Sequence, residues 1–310
     1  MKLTRCKNNP ILTPTDNWWE EYLVFNPGVA VYQDKIYLLY RAQGRDKISR
    51  FGLATSVDGF NFERFTNPIF EGDENNKFER LGVEDPRITK IDDTYYIFYT
   101  AASVYPLSEA KKTEFTPSLS SKVPWRVRAS LMQTSDFKTF DRIGIALPDT
   151  DTKDLALFQD KIDGKYFMLH RMYPNMYLAS SSDLKTWQDL GIFAQTRPGS
   201  WDEERIGVGA PPIKTEKGWL LIYHGVDQNK IYRLGVMLLD LNDPTKILYR
   251  SSEPIFEPEA SYEKEGYVKN VVFTCGAIEK DGQYFVYYGA ADKVIGLATI
   301  GKEELLTSLQ

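Results

Sequence analysis

Short runs of aromatic and aliphatic residues recur along the chain, and a polar turn precedes each run. The runs cover residues 35–42, 95–101, 166–171, 218–224 and 284–288. Tyr, Phe, Ile and Leu dominate them, which is typical of β-strands. A shorter apolar segment lies on either side of each run. The pattern therefore predicts five copies of one unit, each with at least three strands.

The spacing of these copies indicates the architecture. Equivalent aromatic-strand positions lie 53 to 71 residues apart, taken at Tyr40, Tyr99, His170, Tyr223 and Tyr288. That spacing leaves room for a four-stranded sheet and its loops, and five such sheets are typical of a β-propeller. Independent stacked sandwiches would need longer segments with their own cores, so we rank them lower. We predict an all-β protein in which residues 1–310 form a single five-bladed β-propeller domain.

Segments outside the five copies extend this prediction. A Pro-Ile pair recurs at residues 10–11, 68–69 and 254–255, which indicates equivalent outer-strand segments. The N-terminal segment is expected to supply an outer strand to the last blade and so to close the ring. Helix is predicted only at residues 302–306, and residues 105–125 are predicted to form a long loop in the second blade.

Composition narrows the function. The chain has 42% hydrophobic and 26% charged residues, as ordinary globular proteins do. Its net charge of −5 and the lack of a basic stripe argue against a nucleic-acid partner. No apolar run has the length of a membrane span or a signal peptide, so we expect no membrane partner and a cytoplasmic location. Two cysteines and two histidines without ligand spacing predict no metal site, and no organic cofactor is implied.

In a propeller the innermost strand of each blade lines the central channel, so equivalent repeat positions meet in space. At the start of the innermost strand, the first three copies carry Asn26, Asp85 and Asp154. At the end of the aromatic strand, three copies carry Arg41, Arg171 and His224. A single arginine is commonly a solvated surface residue. Basic groups at one repeated position, beside carboxylates, instead predict an anion-binding pocket.

Asp85 stands in the sequence Gly82-Val83-Glu84-Asp85-Pro86-Arg87. Pro86 has a fixed φ and is expected to hold Asp85 in extended geometry, which would aim its carboxylate. The alternative is that Glu84 and Asp85 only cap a turn. The repeat favours an aimed carboxylate, because equivalent stretches occur in other copies.

Other polar positions lie at the same end of the repeats. Both histidines, His170 and His224, fall at the end of an aromatic strand, which favours a pocket role for them. Asp292 follows the last aromatic strand at the same rim. A further series opens the third strand of three copies: Arg50, Arg128 and Arg233. This series fits either ion pairs between blades or further contacts to an anion.

Together these motifs resemble glycoside hydrolase family 130. The resemblance rests on the ordered set Gly82-Val83-Glu84-Asp85-Pro86-Arg87, Leu169-His170-Arg171, Arg205-Ile206-Gly207-Val208-Gly209-Ala210-Pro211-Pro212, Tyr223-His224-Gly225-Val226 and Tyr288-Gly289-Ala290-Ala291-Asp292. It extends over essentially the whole chain. It implies a five-bladed propeller that acts, in most members, as an inverting phosphorylase of β-mannosides, and in some members as a β-1,2-mannosidase.

The resemblance implies a role for each candidate residue. Asp85 matches the family's catalytic acid, which protonates the glycosidic oxygen, with the mannose 3-hydroxyl as relay, while inorganic phosphate attacks the anomeric carbon to give α-mannose 1-phosphate. The implied phosphate-binding residues are Arg128, Arg171, Arg205, His224 and Tyr232. The implied sugar-binding residues are Asn26, Arg41, His170 and Asp292. Arg205 departs from the family, which typically has lysine there, so charge is kept but contact geometry differs.

Three alternatives remain open from the sequence. A β-mannoside hydrolase of the same family would need a second carboxylate to activate water, for which Glu203 and Glu204 are considered. A furanosidase-type propeller would need an aspartate where Asn26 stands. A non-catalytic sugar-binding propeller would need no directed acid. The retained basic set favours the phosphorylase, because phosphate is itself the nucleophile and one acid then suffices.

The substrate is less defined than the chemistry. The linkage is open between β-1,2 and β-1,4, and so is the acceptor sugar. The compact N-terminus favours β-1,2-mannooligosaccharides. Residues 105–125 and 262–267 are expected to wall the acceptor subsite. Family members are often assemblies, but whether this chain forms a homo-oligomer stays open from the sequence.

Overall fold

The computed structural model describes residues 1–104 and 125–309, so all but the last residue of the predicted 105–125 loop lies outside the described residues. The described chain forms 21 strands and two short helices. The strands are β1 (Thr4–Arg5), β2 (Leu23–Tyr32), β3 (Lys35–Gln43), β4 (Ser49–Ser56), β5 (Glu63–Arg64), β6 (Gly82–Ile91), β7 (Thr94–Val104), β8 (Trp125–Thr134), β9 (Asp141–Ile145), β10 (Lys153–Leu157), β11 (Tyr166–Met172), β12 (Asn175–Ser181), β13 (Gln188–Ala194), β14 (Arg205–Val208), β15 (Ile213–Thr215), β16 (Gly218–Val226), β17 (Tyr232–Leu239), β18 (Ile247–Arg250), β19 (Val272–Lys280), β20 (Gln283–Ala290) and β21 (Val294–Gly301). The helices are α1 (Ser261–Lys264) and α2 (Lys302–Thr307).

The strands form five blades around a central axis. Blade 1 consists of β2–β5, blade 2 of β6–β9, blade 3 of β10–β13, blade 4 of β14–β18, and blade 5 of β19–β21 with β1. In blades 1 to 3 the innermost strand comes first in the chain, and the later strands follow outward. In blade 4, β14 and β15 both pair with the second strand, β16, and in blade 5 the order from β19 to β21 is completed on the outside by the N-terminal β1. The innermost strands β2, β6, β10 and β14 contact one another in that order. Strands β16 and β17 of blade 4 contact β19, and β19 contacts β2, so the ring closes. The predicted five-bladed propeller is confirmed.

The N-terminus closes the ring, as predicted. Strand β1 pairs with β21 in the last blade, with Thr4 opposite Thr299 and Arg5 opposite Ala298. The three Pro-Ile segments also occupy equivalent places. Each ends in a bridge to the third strand of its blade: Leu12 to Ile295, Phe70 to Phe51, and Phe256 to Leu234. The predicted C-terminal helix is α2, whereas α1 was not predicted.

The innermost strands of blades 1, 2 and 3 share a bulge near their first residues. The residue inside each bulge has a left-handed φ of 48° at Asn26, 54° at Asp85 and 54° at Asp154. The predicted extended geometry of Asp85 is therefore wrong. The bulge takes this residue out of the ladder and re-aims its side chain, and Asn and Asp tolerate the left-handed region better than most residues. The predicted equivalence of the three positions is confirmed.

Buried polar clusters hold the outer part of four blades together. In each, a tyrosine of the second strand donates its hydroxyl hydrogen to a buried carboxylate that also pairs with an arginine. We call these clusters the outer locks: Tyr40–Glu20–Arg64, Tyr99–Glu79–Arg142, Tyr223–Asp202–Arg250 and Tyr288–Glu263–Arg5. The hydroxyl-to-carboxylate distances are 2.6–2.9 Å. In the last lock Arg5 belongs to β1, so the N-terminal strand contributes a charge as well as backbone pairing.

Helices α1 and α2 have four and six residues. Neither α1 nor α2, and no other helix in residues 1–104 and 125–309, combines the length and apolar character needed to cross a lipid bilayer.

Candidate active site

Asp85 lies at the axis, where blades 1 and 2 meet. Its Oδ1 accepts a hydrogen bond from Asn26 Nδ2 at 2.9 Å and lies 3.3 Å from Arg41 Nη1. Arg41 is held in place by a 2.9 Å bond from its Nε to Ser49 Oγ. Gly289 makes room for this arrangement, because a Cβ there would lie 2.2 Å from Asn26 Oδ1. Two residues predicted to bind sugar therefore contact the predicted acid.

Glu84 and Asp85 respond differently to the same surroundings. Burial works against ionisation of Asp85, but Arg41, Lys153 and the hydrogen bond from Asn26 outweigh it and lower its pKa. For Glu84, burial dominates and raises the pKa, although its Oε1 is 2.7 Å from Arg41 Nη2. Two adjacent carboxyls therefore share one guanidinium, and Glu84 is the one more easily protonated.

Arg87 joins the acid to the far side of the axis. Its side chain is fully buried, at 1% exposure. Nη1 donates to the Asp85 carbonyl oxygen at 3.3 Å, and the other two nitrogens donate to blade 4, Nε to Gly209 O at 2.6 Å and Nη2 to Val208 O at 2.8 Å. Nη2 also lies 3.6 Å from Asp154 Oδ1. Arg87 thus fixes the position of Asp85 relative to the basic residues of blades 3 and 4.

Those basic residues surround Asp154. Arg171 Nη1 is 2.9 Å from Asp154 Oδ2, and His224 Nε2 is 3.5 Å from the same oxygen. Gly207 permits the approach, since a Cβ there would lie 2.4 Å from Asp154 Oδ2 and 2.6 Å from His224 Nε2. Burial opposes the charge on Asp154, but the neighbouring basic groups, chiefly Arg171, lower its pKa. The predicted convergence of the repeat positions is thus seen directly.

His224 is neutral in this setting. Burial and nearby arginines outweigh the attraction of Asp154 and lower the pKa of His224 to about 3. Its ring packs against Phe273, with centroids 4.6 Å apart, and stacks near Tyr232 at 6.1 Å. The guanidinium of Arg205 lies over the other aromatic partner, 5.0 Å from the Tyr232 ring centre. A stacked sequence of Arg205, Tyr232 and His224 therefore borders the Asp154 cluster.

Several buried polar atoms around the axis lack a hydrogen-bond partner among the described residues. They are Asn26 Oδ1, both carboxylate oxygens of Asp154, both ring nitrogens of His224, and Arg205 Nε. Buried polar atoms are normally satisfied, because an unpaired one costs about 1–3 kcal/mol. Because these atoms lie close together, they indicate a site that can bind a polar ligand with both donor and acceptor groups.

Two more charged groups complete the axis. Burial raises the pKa of Asp292 to about 6, against the opposing effect of Arg41. Asp292 has a left-handed φ of 50° in the turn after β20 and is half-buried. Lys153 is the second group, and its charge lowers the pKa of Asp85 and of Asp154. Lys153 therefore acts electrostatically on both the acid and Asp154.

Two predicted site residues have their described contacts elsewhere. Arg128 is buried, forms an ion pair with Asp151, and donates to Pro148 O at 3.0 Å. His170 Nδ1 is 2.9 Å from Thr152 Oγ1, and its ring packs on Tyr177 with centroids 5.6 Å apart. Phosphate binding by Arg128 and sugar binding by His170 stay predictions.

The other members of the Arg128 series form surface-side ion pairs. Arg50 pairs with Asp46 and Glu71, and Arg233 pairs with Asp227 and Glu257. The prediction of ion pairs between blades is wrong for both residues, because their partners belong to the same blade. These pairs connect each third strand to loops of its own blade.

Sequence reasoning missed Arg87 and Lys153. Arg87 was present in the quoted Glu-Asp-Pro-Arg motif, and its adjacency to the predicted acid was the available signal. Lys153 immediately precedes Asp154, and it is opposite Arg171 in the sheet, so the repeat alignment could have indicated it. Among residues 1–104 and 125–309, no group of three or more His, Cys, Asp or Glu side chains is arranged to hold a metal ion.

Comparison with known proteins agrees with the geometry. A family model for glycoside hydrolase family 130, described as beta-1,4-mannooligosaccharide phosphorylase, matches residues 4–310. Two proteins of Thermoanaerobacter sp. (strain X514), a 1,2-beta-oligomannan phosphorylase and a beta-1,2-mannobiose phosphorylase, are each 42% identical over 98% of this chain and 99% of their own. The solved complex of beta-1,2-mannobiose phosphorylase from Listeria innocua with beta-1,2-mannobiose has a TM-score of 0.85 at 30% identity, covering 100% of this chain and 99% of that chain. This chain belongs to glycoside hydrolase family 130.

Proposed function

We propose that this protein is an inverting phosphorylase of β-linked mannosides that releases α-D-mannose 1-phosphate. One observation carries the proposal: Asp154, Arg171, His224 and Arg205 form a buried, mostly basic cluster in which Asp154 pairs with Arg171, while polar atoms of His224 and Arg205 have no hydrogen-bond partner among the described residues. Arg87 contacts both Asp85 and Asp154. An anion that enters from the basic side would therefore face a sugar held beside the acid.

The proposed reaction breaks one C–O bond and forms another. A phosphate oxygen attacks the anomeric carbon, the bond from that carbon to the glycosidic oxygen breaks, and the proton of Asp85 passes to the departing oxygen through the mannose 3-hydroxyl. Attack from the face opposite the leaving group inverts the anomeric configuration. Asp85 has a lowered pKa in the free protein, so it must gain its proton in the complex. Incoming phosphate brings negative charge near Asp85 and raises its pKa in the required direction.

Phosphate binding is assigned, within this proposal, to Arg171, Arg205, His224 and Tyr232, with Arg128 as a further contact. Arginine suits this task because its guanidinium can donate two parallel hydrogen bonds to one oxyanion. The neutral imidazole of His224 supplies one donor and one acceptor, which fits a phosphate that still carries a hydrogen. The mannosyl unit is assigned to Asn26, Arg41 and Asp292, with His170 kept as a sugar-binding prediction.

Hydrolysis is less favoured, because the basic residues that would bind phosphate are retained and the relatives at 42% identity are named phosphorylases. A hydrolase needs a carboxylate that is available to activate water. Glu203 Oε2 accepts a 3.0 Å hydrogen bond from the Gly199 amide, and Glu204 pairs with Lys230 through Oε1, while its Oε2 has no hydrogen-bond partner among the described residues. We further propose β-1,2-linked mannosides as the substrates, because the proteins at 42% identity are named for that linkage.

The decisive test is incubation with β-1,2-mannobiose in the presence and absence of inorganic phosphate. We expect phosphate-dependent release of α-mannose 1-phosphate, with the anomeric configuration determined by NMR. The Asp85→Asn variant serves as the negative control, because an amide cannot donate the catalytic proton. Free mannose formed at the same rate without phosphate would establish a hydrolase instead. No turnover of either β-1,2- or β-1,4-mannobiose would overturn the enzymatic proposal.

A further inference from the structure

A cleft of about 540 Å³ opens at the rim of the propeller, between blades 1 and 5. Its walls include Tyr22, Tyr267, Glu21 and Lys293. Tyr22 is 39% exposed and Tyr267 is 57% exposed. Exposed large aromatic side chains that line one cleft commonly mark a binding surface.

The cleft adjoins chain segments that carry two of the proposed sugar-binding residues. Lys293, on its wall, directly follows Asp292, and its carbonyl oxygen accepts a 3.2 Å hydrogen bond from the Val24 amide. Val24 is two residues before Asn26 on the same innermost strand. One face of the cleft is therefore built from the backbone that also carries Asn26 and Asp292.

The segment that carries Tyr267 is fixed to the same turn. The Val268 amide donates to Ala291 O at 3.1 Å, and a Cβ on Gly266 would lie 2.4 Å from that oxygen. Ala291 immediately precedes Asp292. These contacts attach the segment that carries Tyr267 to the turn that carries Asp292.

The two tyrosines meet edge to face. Their ring centres are 5.9 Å apart and their planes are inclined at 78°. In this arrangement the edge of one ring braces the other, and an exposed face remains for a ligand. The flat C–H faces of pyranose rings pack on aromatic faces, and the charged ends of Glu21 and Lys293 can hydrogen-bond the hydroxyl groups that ring the sugar.

We infer that Tyr22 and Tyr267 form a distal saccharide subsite, which binds mannosyl units of the substrate beyond the disaccharide that is cleaved. The inference rests on the proposed function and adds chain length to it. A chain that enters the pocket by one end must leave across the rim, and this cleft lies on the rim beside Asp292. The subsite selects for β-mannooligosaccharides over β-mannobiose.

The test compares β-1,2-mannotetraose with β-1,2-mannobiose in phosphorolysis by the full chain. Tyr267→Ala and Tyr22→Ala are each expected to lower kcat/KM for the tetrasaccharide about tenfold, because an aromatic stacking contact is worth roughly that factor. The value for the disaccharide is expected to stay within about twofold. Tyr267→Phe keeps the ring and is expected to behave as wild type on both substrates.

Phe65→Ala is the matched control, because Phe65 is also exposed, at 45%, but belongs to the outer part of blade 1. Equal losses on both substrates, no loss on the tetrasaccharide, or the same selective loss in Phe65→Ala would each overturn the subsite. If the wild-type protein phosphorolyses both substrates, and the variants have the same ratio of kcat/KM for tetrasaccharide to disaccharide as the wild type, only this inference is refuted. Wild-type protein that makes no mannose 1-phosphate from either refutes the proposed function and the subsite together. Thermal melting of each variant identifies any loss that comes from unfolding.

Discussion

The outer locks and the residues around Asp154 at the axis are of the same types, but they serve different purposes. In the blade 4 lock, Asp202 accepts hydrogen bonds from Tyr223 at 2.9 Å and from Arg197 and Arg250 at 2.5–3.2 Å. At the axis, Asp154 is equally buried and forms a 2.9 Å ion pair with Arg171, yet neither of its oxygens accepts a well-aligned hydrogen bond from a described residue. Burial and charge alone therefore do not distinguish the two regions.

The two regions differ in how completely their buried polar atoms are hydrogen-bonded within the chain. A buried carboxylate with all its partners inside the chain contributes to stability and holds a blade in one arrangement. A buried carboxylate, histidine and arginine with unpaired atoms leave free energy available for a ligand. Changes at the locks should consequently affect folding, whereas changes at the axis should affect binding and chemistry. Four predictions test this division, from the largest expected effect to the smallest.

Asp85→Asn should abolish most of the turnover. Asparagine can still accept the hydrogen bond from Asn26, but it has no proton to donate, so kcat for phosphorolysis should fall about 10²–10⁴-fold. The measurement is initial rate of mannose 1-phosphate release, with the melting temperature as control for folding. Activity within about twofold of wild type would remove Asp85 from its role as the acid.

Asp202→Ala should affect stability instead. The substitution leaves the buried ends of Arg197 and Arg250 without their carboxylate, so the free energy of unfolding should drop by about 3–5 kcal/mol. Denaturant titration measures this loss. At a temperature where the variant is folded, its KM for mannoside and for phosphate should match wild type. A large change in KM with unchanged stability would contradict the division.

Arg205→Met should weaken phosphate binding selectively. Loss of one charged hydrogen-bond donor is worth about 1.5–3 kcal/mol, so the apparent KM for phosphate should rise about 10- to 100-fold. The KM for the mannoside should change little. Arg142→Met, in the blade 2 lock, is the matched control, because it removes the same charge from Glu79 and should lower the melting temperature without altering the KM for phosphate.

Asp292 should give the smallest and most pH-dependent effect. Its pKa is raised to about 6 in the folded protein, so folding favours the protonated form, and stability from this group is lost as pH rises from about 4 to about 6. Asp292→Asn removes that loss, and its stability relative to wild type should increase between about pH 4 and about pH 7. Denaturation midpoints of both proteins across this range measure the difference. A constant difference would show that the raised pKa has no energetic consequence.

The sequence carried much of the fold and part of the site, for identifiable reasons. Aromatic strands recur at every blade, so their spacing predicted the propeller, and aligned positions predicted that Asp85, Arg171 and His224 share the axis. The left-handed φ of Asp85 was missed because proline-based reasoning is local, whereas the bulge depends on the register with the neighbouring strand.

The outer locks were missed for a related reason. Tyr40 occupies a repeated strand position, but its partner Glu20 lies in an irregular segment before the blade, and Glu79 and Asp202 likewise belong to loops. No repeat alignment brings loop residues together. His170 occupies the repeat position of the lock tyrosines, one residue before Arg171, so the alignment does not place it with the basic residues at the axis.

Strand β1, which closes the ring, is synthesised before the other strands of the propeller, but its pairing partner β21 is synthesised after them. Thr4 and Arg5 leave the ribosome before the other blade residues, but their partners Thr299 and Ala298 come at the opposite end of the chain. Glu263, the carboxylate that pairs with Arg5, is also synthesised long after Arg5. Blade 5, which carries Asp292, therefore cannot be completed until Thr299 has been synthesised, and the assembled pocket forms only after all five blades have left the ribosome.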